Sequence, residues 1–235
     1  MTPASDRPSG APVPPAVKQQ TVKAQREEQR AAKVEAFKKA QAKKRRNKSI
    51  GIWAAVVGGV AVIAVLATSI YLTIPKYASY PGGGTGTGKD IAGVETFKNT
   101  AAHVEGKVDY PQNPPAGGPH NPIWLNCGVY DQPVPNENAV HDLEHGAVWV
   151  TYDPSLSSAE LDKLKELIPS TYVVLSPYKG LPSPIVLSGW NVQLQVNNAS
   201  DKRIPEFFTE FWRSNNVPEP TAPCTGGVDG PGKVS

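Results

Sequence analysis

The segment AVWVTYDPSLSSAELDKLKELIPSTYVVLSPY, residues 147–178, decides the fold. Its first six residues are apolar or aromatic apart from one threonine, and they predict a buried strand. The run SSAE at 157–160 has the spacing of a capping box, so a helix is expected to begin there and to end near Ile168, before Pro169. Residues 172–178 predict another buried strand. Strand, helix and strand in this order are most simply arranged as a β-α-β crossover.

The residues that follow predict more sheet and a last helix. Residues 184–190 (PIVLSGW) predict an antiparallel strand, and the alternation from Trp190 to Val196 indicates that this strand continues. Residues 201–215 predict a helix that carries a cluster of aromatic side chains. We therefore predict an α+β fold, a mixed sheet with helices packed on it.

The region before residue 147 is irregular. Residues 103–110 (HVEGKVDY) predict a short strand. Residues 111–122 contain five prolines, which remove backbone donors and fix φ, so this stretch is predicted to be a loop. Asn136 is expected to cap a short helix from Glu137 to His145, and Gly146 is expected to end that helix in a left-handed conformation.

Residues 50–74 form an apolar run of 25 residues that contains neither charge nor proline. About 20 apolar residues span a bilayer core, so this run predicts a transmembrane helix. The basic run KKRRNK begins at Lys43 and ends at Lys48, and only Lys76 follows the apolar run closely. The positive-inside rule then predicts a cytoplasmic N-terminus and an extracytoplasmic C-terminal domain in the cell membrane. A cleaved signal peptide, the rival interpretation, has a shorter apolar region of roughly 7–15 residues.

The composition suggests five segments. We expect a cytoplasmic segment at 1–49, disordered at first and then basic and helical, followed by the transmembrane helix at 50–74. A flexible glycine-rich linker is expected at 75–90, the extracytoplasmic domain at 91–223, and a C-terminal tail at 224–235.

The charge is divided unevenly along the chain. Residues 1–50 contain 13 Lys/Arg and 4 Asp/Glu, whereas the remainder contains 11 and 17. The basic segment has no interleaved aromatic residues, so we predict no nucleic-acid binding. It is interpreted as a solvated helix that sets topology, or as a patch that contacts anionic lipid through residues 43–48 while the apolar helix contacts the bilayer. Protein partners are not indicated.

Three motifs resemble domain-of-unknown-function family 3105: PPAGGPH at 114–120, GVYDQPV at 128–134 and HDLEHG at 141–146. The resemblance extends over roughly residues 90–220. It implies a bacterial, often actinobacterial, membrane-anchored protein, and it implies no activity. Function must therefore be argued from the residues.

All four histidines lie between residues 103 and 145. His141 and His145 are four residues apart, so on a helix they share one face and are spaced to hold one metal ion. His120 ends the stiff proline-rich loop. We predict that these three converge, that His103 is the next ligand, and that Glu144 lies within reach as a ligand, a hydrogen-bond acceptor or a base.

The predicted cofactor is a divalent metal, zinc or copper. The only methionine is Met1, which excludes a methionine-based Cu(I) site and leaves zinc or Cu(II) at histidine. Three functions stay open: a metal-binding module, a metal-dependent envelope hydrolase with Glu144 as base, and a structural interaction domain whose histidines only donate and accept hydrogen bonds. The hydrolase hypothesis uses the pattern H-x-x-E-H and needs a distant carboxylate, Glu206 or Glu210. The sequence does not decide whether the protein is an enzyme.

Cys127 and Cys224 are the only cysteines. An even number of cysteines outside the cytoplasm predicts a disulfide between them. The alternative is that Cys127 is a metal ligand or a redox thiol near the histidines. The chain has no C-x-x-C motif, which argues against thiol-disulfide exchange chemistry.

Overall fold

The computed structural model describes residues 15–74, 76–88 and 90–235, with side chains from residue 22 onward. Most of the segment predicted to be disordered, residues 1–14, lies outside the described residues. The chain divides into two compact units, of which one ends at Ile74 and the other runs to Ser235.

The first unit is a single long helix, α1 (Pro15–Thr73). Its stretch Val22–Thr73 contains the apolar run, and by length and composition the helix is long and apolar enough to cross a membrane. The sequence predicts the basic part and the apolar part separately, and the structure joins them without a break. This continuity follows from the strong helix formers Ala, Lys, Gln, Glu and Arg before residue 49.

The described residues of the second unit form a mixed six-stranded sheet and three helices. The strands are β1 (Val94–Thr96), β2 (Gly128–Val129), β3 (Val148–Tyr152), β4 (Val173–Pro177), β5 (Ile185–Gly189) and β6 (Val192–Val196). The helices are α2 (Asn136–Glu144), α3 (Ser158–Leu167) and α4 (Arg203–Phe211). The sheet order is β1-β6-β5-β3-β4-β2, in which β3 and β2 run parallel to β4 and the other pairs are antiparallel. The predicted α+β class with a mixed sheet is confirmed.

The predicted β-α-β unit consists of β3, α3 and β4. The strands are in parallel register, with Val148 opposite Val173. The predicted cap of α3 is present, because Ser157 Oγ accepts a hydrogen bond from the Glu160 amide at 3.3 Å. The Glu160 carboxylate does not return to Ser157 but accepts from the Ala199 amide at 2.6 Å. Strand β3 also pairs with β5, so it lies inside the sheet and all its residues are buried.

The two faces of β3 contribute to different apolar clusters. Val148 and Val150 pack in a large cluster with residues of α3 and α4, whereas Trp149 packs in a smaller one with Leu143 of α2. Successive residues of a strand point to opposite faces, which explains this division. Helix α2, which carries most of the predicted site, is thereby fixed on the Trp149 face.

The prediction that the strand after Trp190 continues is wrong. Residues 190–191 make a tight turn, and β6 folds back antiparallel on β5. Asn191 has φ +62°, a left-handed conformation that asparagine tolerates better than most residues and that two-residue hairpins need.

The strand predicted at 103–110 is also absent. Its one sheet-like contact is an isolated bridge between His103 and His120. Gly106, at φ +93°, breaks the extended conformation. The Val108 amide donates to the Glu137 carboxylate at 3.1 Å, a side-chain acceptor in place of a neighbouring strand.

The linker predicted at 75–90 is not a free tether over residues 76–88, because it packs on the domain. Tyr80 stacks on Phe208 with ring centroids 5.0 Å apart, and its hydroxyl donates to the Leu167 carbonyl at 2.7 Å. The Thr87 amide donates to the Glu210 carboxylate at 2.9 Å. Burial of an aromatic ring and these hydrogen bonds offset the entropy lost by a glycine-rich segment.

The tail predicted at 224–235 is likewise part of the domain. The backbone amide of Asn126 donates to the Val228 carbonyl at 2.7 Å, and the backbone amide of Val129 donates to the Ser235 carbonyl at 2.9 Å. Cys224 is buried. The tail therefore supplies partners to backbone groups around β2 that a two-residue strand cannot satisfy alone.

Candidate metal centre

Helix α2 presents the motif HDLEHG. It begins after Pro135, and the Asn136 side chain makes no cap but donates to the Tyr178 hydroxyl at 3.3 Å. His145 is the C-terminal cap residue. Gly146 has φ +88°, which confirms the predicted left-handed residue and turns the chain into β3. Leu143 faces the core, so His141 and His145, two residues before and after it, lie on the opposite side of the helix.

The loop that carries His120 is held to the segment that carries His103. The His120 amide donates to the Ala102 carbonyl at 2.9 Å, and the Val104 amide donates to the His120 carbonyl at 2.8 Å. The next residue, Asn121, donates its amide to the Glu137 carbonyl at 3.2 Å, which joins the loop to the start of α2. Backbone contacts thus bring three separate segments together.

Three of the imidazoles are anchored in the same way. His120 Nδ1 contacts the Gly118 carbonyl oxygen at 2.8 Å, and His141 Nδ1 contacts the Asn121 carbonyl oxygen at 2.7 Å. His145 Nδ1 contacts the Pro223 carbonyl oxygen at 2.8 Å. A carbonyl only accepts, so each Nδ1 carries the hydrogen, and a neutral ring keeps its lone pair at Nε2.

One group of potential ligand atoms comprises His103, His120, His141 and Glu144. These atoms all lie within 4.8 Å of one another. Glu144 Oε2 is 2.7 Å from His120 Nε2 and 3.5 Å from His103 Nε2. His120, His141 and Glu144 are buried, whereas the His103 side chain is 45% exposed. The group therefore reaches solvent on the His103 side.

Two atoms of this group lack hydrogen bonds. His120 Nε2 and Glu144 Oε2 lie 2.7 Å apart, at the distance of an ion pair, but neither atom has a hydrogen-bond partner among the described residues. Burying such groups without a partner is costly. A cation between them would satisfy both.

The protonation of the helical pair suits metal binding. Burial lowers the pKa of His141. The nearby imidazoles of His145 and His120 lower this pKa further, whereas the Asn121 carbonyl and the Glu144 carboxylate raise it. Burial also lowers the pKa of His145. The Pro223 carbonyl and the Glu219 and Glu144 carboxylates raise it, but burial has the larger effect. Both rings are therefore neutral near pH 7, the form that a metal ion requires.

His145 belongs to a different group from the one that contains His120. Its neighbours are His141 and Glu219, again with ligand atoms within 4.8 Å of one another, and His145 Nε2 lies 3.4 Å from Glu219 Oε2. The sequence analysis did not identify Glu219. A sequence signal that could have indicated Glu219 is the cysteine pair. A bond between Cys127 and Cys224 brings the segment around residue 219 back to the part of the chain that contains the histidines.

Glu206 and Glu210, the carboxylates required by the hydrolase hypothesis, belong to neither group. Glu210 instead accepts hydrogen bonds from Thr85 and from the amide of Thr87. Glu210 therefore binds the segment 76–88 and is not part of the histidine cluster.

Cys127 and Cys224 lie at disulfide distance, with Cα atoms 5.4 Å apart, and they are paired. Beside them lies Asp142, whose carboxylate oxygens have no hydrogen-bond partner among the described residues. Burial raises the pKa of Asp142 well above its ordinary value, and the nearby Leu125 amide, which donates to the Asn138 carbonyl, opposes this shift. The sequence analysis did not predict this buried acid.

Fold and site together define an α+β domain with a cluster of histidines and carboxylates that could hold a metal ion. The chain belongs to the family described as "Protein of unknown function (DUF3105)", whose model matches residues 103–226. That range contains all four histidines, Glu144, Glu219 and both cysteines. No curated protein matches the chain significantly. No solved structure does so either.

Proposed function

We propose that this protein binds one divalent transition-metal ion, zinc or Cu(II), through His103, His120, His141 and Glu144. One observation carries the proposal. Buried imidazoles, each fixed through Nδ1 by a backbone carbonyl, converge through their other nitrogens on a buried carboxylate.

The donor set fits this chemistry. Imidazole nitrogen suits zinc and copper, and a carboxylate lowers the net charge of the site. A hydrogen bond from Nδ1 to a backbone carbonyl orients the imidazole ring and raises the basicity of Nε2, the nitrogen that would bind the metal. Ligands of one zinc ion lie roughly 3–3.5 Å apart, and the ligand atoms of this group lie within 4.8 Å of one another, so small side-chain rotations are enough to adjust them.

The competing functions explain less. A hydrolase of the H-x-x-E-H type needs Glu144 free as a base, but Glu144 Oε2 is itself among the converging ligand atoms. A purely structural role explains the three contacts made by Nδ1 atoms. It leaves His120 Nε2 and Glu144 Oε2, which lie 2.7 Å apart, without a hydrogen-bond partner among the described residues.

We further propose that the metal-binding domain is extracytoplasmic and is held at the cell membrane by α1. The apolar part of α1 would contact lipid hydrocarbon, and the basic run at 43–48 would lie on the cytoplasmic side near anionic headgroups. The paired cysteines agree with an oxidising compartment.

Metal titration of the detergent-solubilised full-length protein tests the binding proposal. After chelation and dialysis, zinc chloride or copper(II) chloride should bind at one ion per chain and raise the melting temperature. His120→Asn and Glu144→Gln should each weaken binding at least about tenfold, by analogy with the loss of a ligand or of its orienting partner. Glu95→Gln, on the exposed part of β1, is the control. Absence of binding, or equal affinity in all variants, would contradict the proposal.

A further inference from the structure

A second group of potential metal ligands lies beside the first. His145 and Glu219 approach each other with Nε2 and Oε2 3.4 Å apart, the spacing of two ligands on one ion. His141 completes the group, and its ring centroid is 4.5 Å from that of His145. His145 is buried, and its Nδ1 is committed to the Pro223 carbonyl, so its Nε2 is the nitrogen available to a ligand.

Glu219 is held in place by the fold. Its amide donates to the Glu144 carbonyl at 3.1 Å, and its carbonyl accepts from the Ala222 amide at 3.3 Å. The Tyr172 hydroxyl donates to the Ala222 carbonyl at 2.8 Å, and Cys224 is paired with Cys127 just beyond. The Glu219 side chain is nevertheless 49% exposed, so its carboxylate lies where the buried histidines meet solvent.

The two positions share one residue. His141 is a member of both groups, and because its Nδ1 is bound to the Asn121 carbonyl, it has a single nitrogen to offer. One nitrogen lone pair binds one metal ion. The two positions therefore compete for His141 and are not filled as a pair of equal sites.

We propose that His141, His145 and Glu219 form an outer metal position that exchanges its ion with the inner one, through the shared His141. This inference rests on the proposed function. In the exchange, His141 stays bound while His103, His120 and Glu144 replace His145 and Glu219. Only coordination bonds change, and the oxidation state of the ion does not. The inner position has four protein ligands and the outer one has three, so the ion resides mainly in the inner position.

Copper(II) titration of full-length variants in detergent tests this arrangement. Wild-type protein should bind one ion per chain. The double variant His120→Asn/Glu144→Gln should still bind one copper(II) ion, at least about tenfold more weakly, because the outer position remains. Adding His145→Asn should remove this residual binding, whereas adding Glu95→Gln should not.

A kinetic measurement covers the case in which the double variant does not fold. Trp124 lies 5.4 Å from the His145 ring and 5.8 Å from the His141 ring, so copper(II) at the outer position should quench its fluorescence. Glu219→Gln should leave the stoichiometry at one ion per chain but slow the quenching at least about threefold relative to Glu95→Gln.

Two results would overturn the second position alone. One is an unchanged quenching rate in Glu219→Gln, and the other is residual copper binding by the double variant that persists when His145→Asn is added. Failure of wild-type protein to bind copper or zinc would overturn both proposals.

Discussion

At the scale of single residues, each anchored imidazole has one nitrogen bound to a backbone carbonyl and the other directed into the cluster. The carbonyls of Gly118, Asn121 and Pro223 come from three different positions in the chain. They orient the rings without using a side chain. Each ring is therefore fixed before a ligand arrives, which lowers the entropy lost on binding.

Replacement of Gly146 by a β-branched residue should destabilise the domain. It has φ +88°, and a Cβ there would lie 3.3 Å from the Arg213 Cα. Gly146→Val should lower the free energy of unfolding by roughly 1–3 kcal/mol, through backbone strain and close contact. Urea unfolding monitored by circular dichroism measures this change. Gly106→Val is the matched control, because Gly106 has φ +93° but open space around its Cβ position, so it should lose less. A loss in Gly146→Val no greater than in Gly106→Val would contradict the packing argument.

Asp142 should make stability fall as the pH rises. Its pKa is raised by burial, so above about pH 3.8 the unfolded chain releases a proton that the folded chain keeps. The folded state then binds more protons than the unfolded state, and the free energy of unfolding decreases with pH up to the raised pKa. Asp142→Asn lacks this effect, so its stability relative to wild type should be higher at pH 8 than at pH 5.

Urea unfolding at these two pH values measures the difference. Asp162→Asn, at an exposed position of α3, is the matched control and should show a pH-independent difference within about 0.5 kcal/mol. A relative stability of Asp142→Asn that falls from pH 5 to pH 8 would refute the assignment of a buried, protonated acid.

The helical spacing of His141 and His145 predicts that they are neighbours, and they are. It does not reveal that His141 belongs to both groups and His145 to only one, because that depends on tertiary contacts. His145 is the cap residue, and its ring is fixed by Pro223, which is 78 residues away along the chain. Glu219 and Asp142 were missed for the same reason, since each becomes part of a cluster only through contacts distant in sequence.

At the scale of elements, the β3-α3-β4 unit could be predicted because its signals are local: two apolar runs and a serine cap. The hairpin at Asn191 could not, since an alternating pattern fits one long strand as well as two paired strands. The packed segments 76–88 and 224–235 were also unpredicted. They are rich in glycine and proline, and their order comes from partners such as Glu210 and Asn126 in the rest of the domain.

The link between Cys127 and Cys224 should be a major source of stability for the C-terminal segment. It joins residues 97 apart in sequence, for which the chain-entropy model gives about 4–5 kcal/mol. The double variant Cys127→Ser/Cys224→Ser should lose roughly that free energy of unfolding, measured by urea denaturation. Wild-type protein treated with a phosphine reductant is the control, and its free energy of unfolding should fall by a similar amount. Two free thiols in the native oxidised protein would contradict the pairing.

At the scale of the whole molecule, the basic and apolar parts of α1 determine the proposed topology. A reporter active only in the cytoplasm should function when fused before residue 50 and should fail when fused after residue 90, because the basic run at 43–48 is retained on the cytoplasmic side. A reporter active only outside the cytoplasm provides the control with the opposite pattern. If both reporters gave the reverse result, the domain would lie in the cytoplasm and the proposed localisation would be wrong.

The central claim is that imidazoles and a carboxylate hold the metal ion, and X-ray absorption at the zinc edge tests it most directly. Full-length protein loaded with one equivalent of zinc should show a shell of nitrogen and oxygen atoms at about 2.0–2.1 Å, with the outer-shell scattering of imidazole. A sulfur shell at about 2.3 Å would place the ion at the cysteines. Failure of the protein to retain zinc would show that the proposed site does not bind it. Either result would contradict the account.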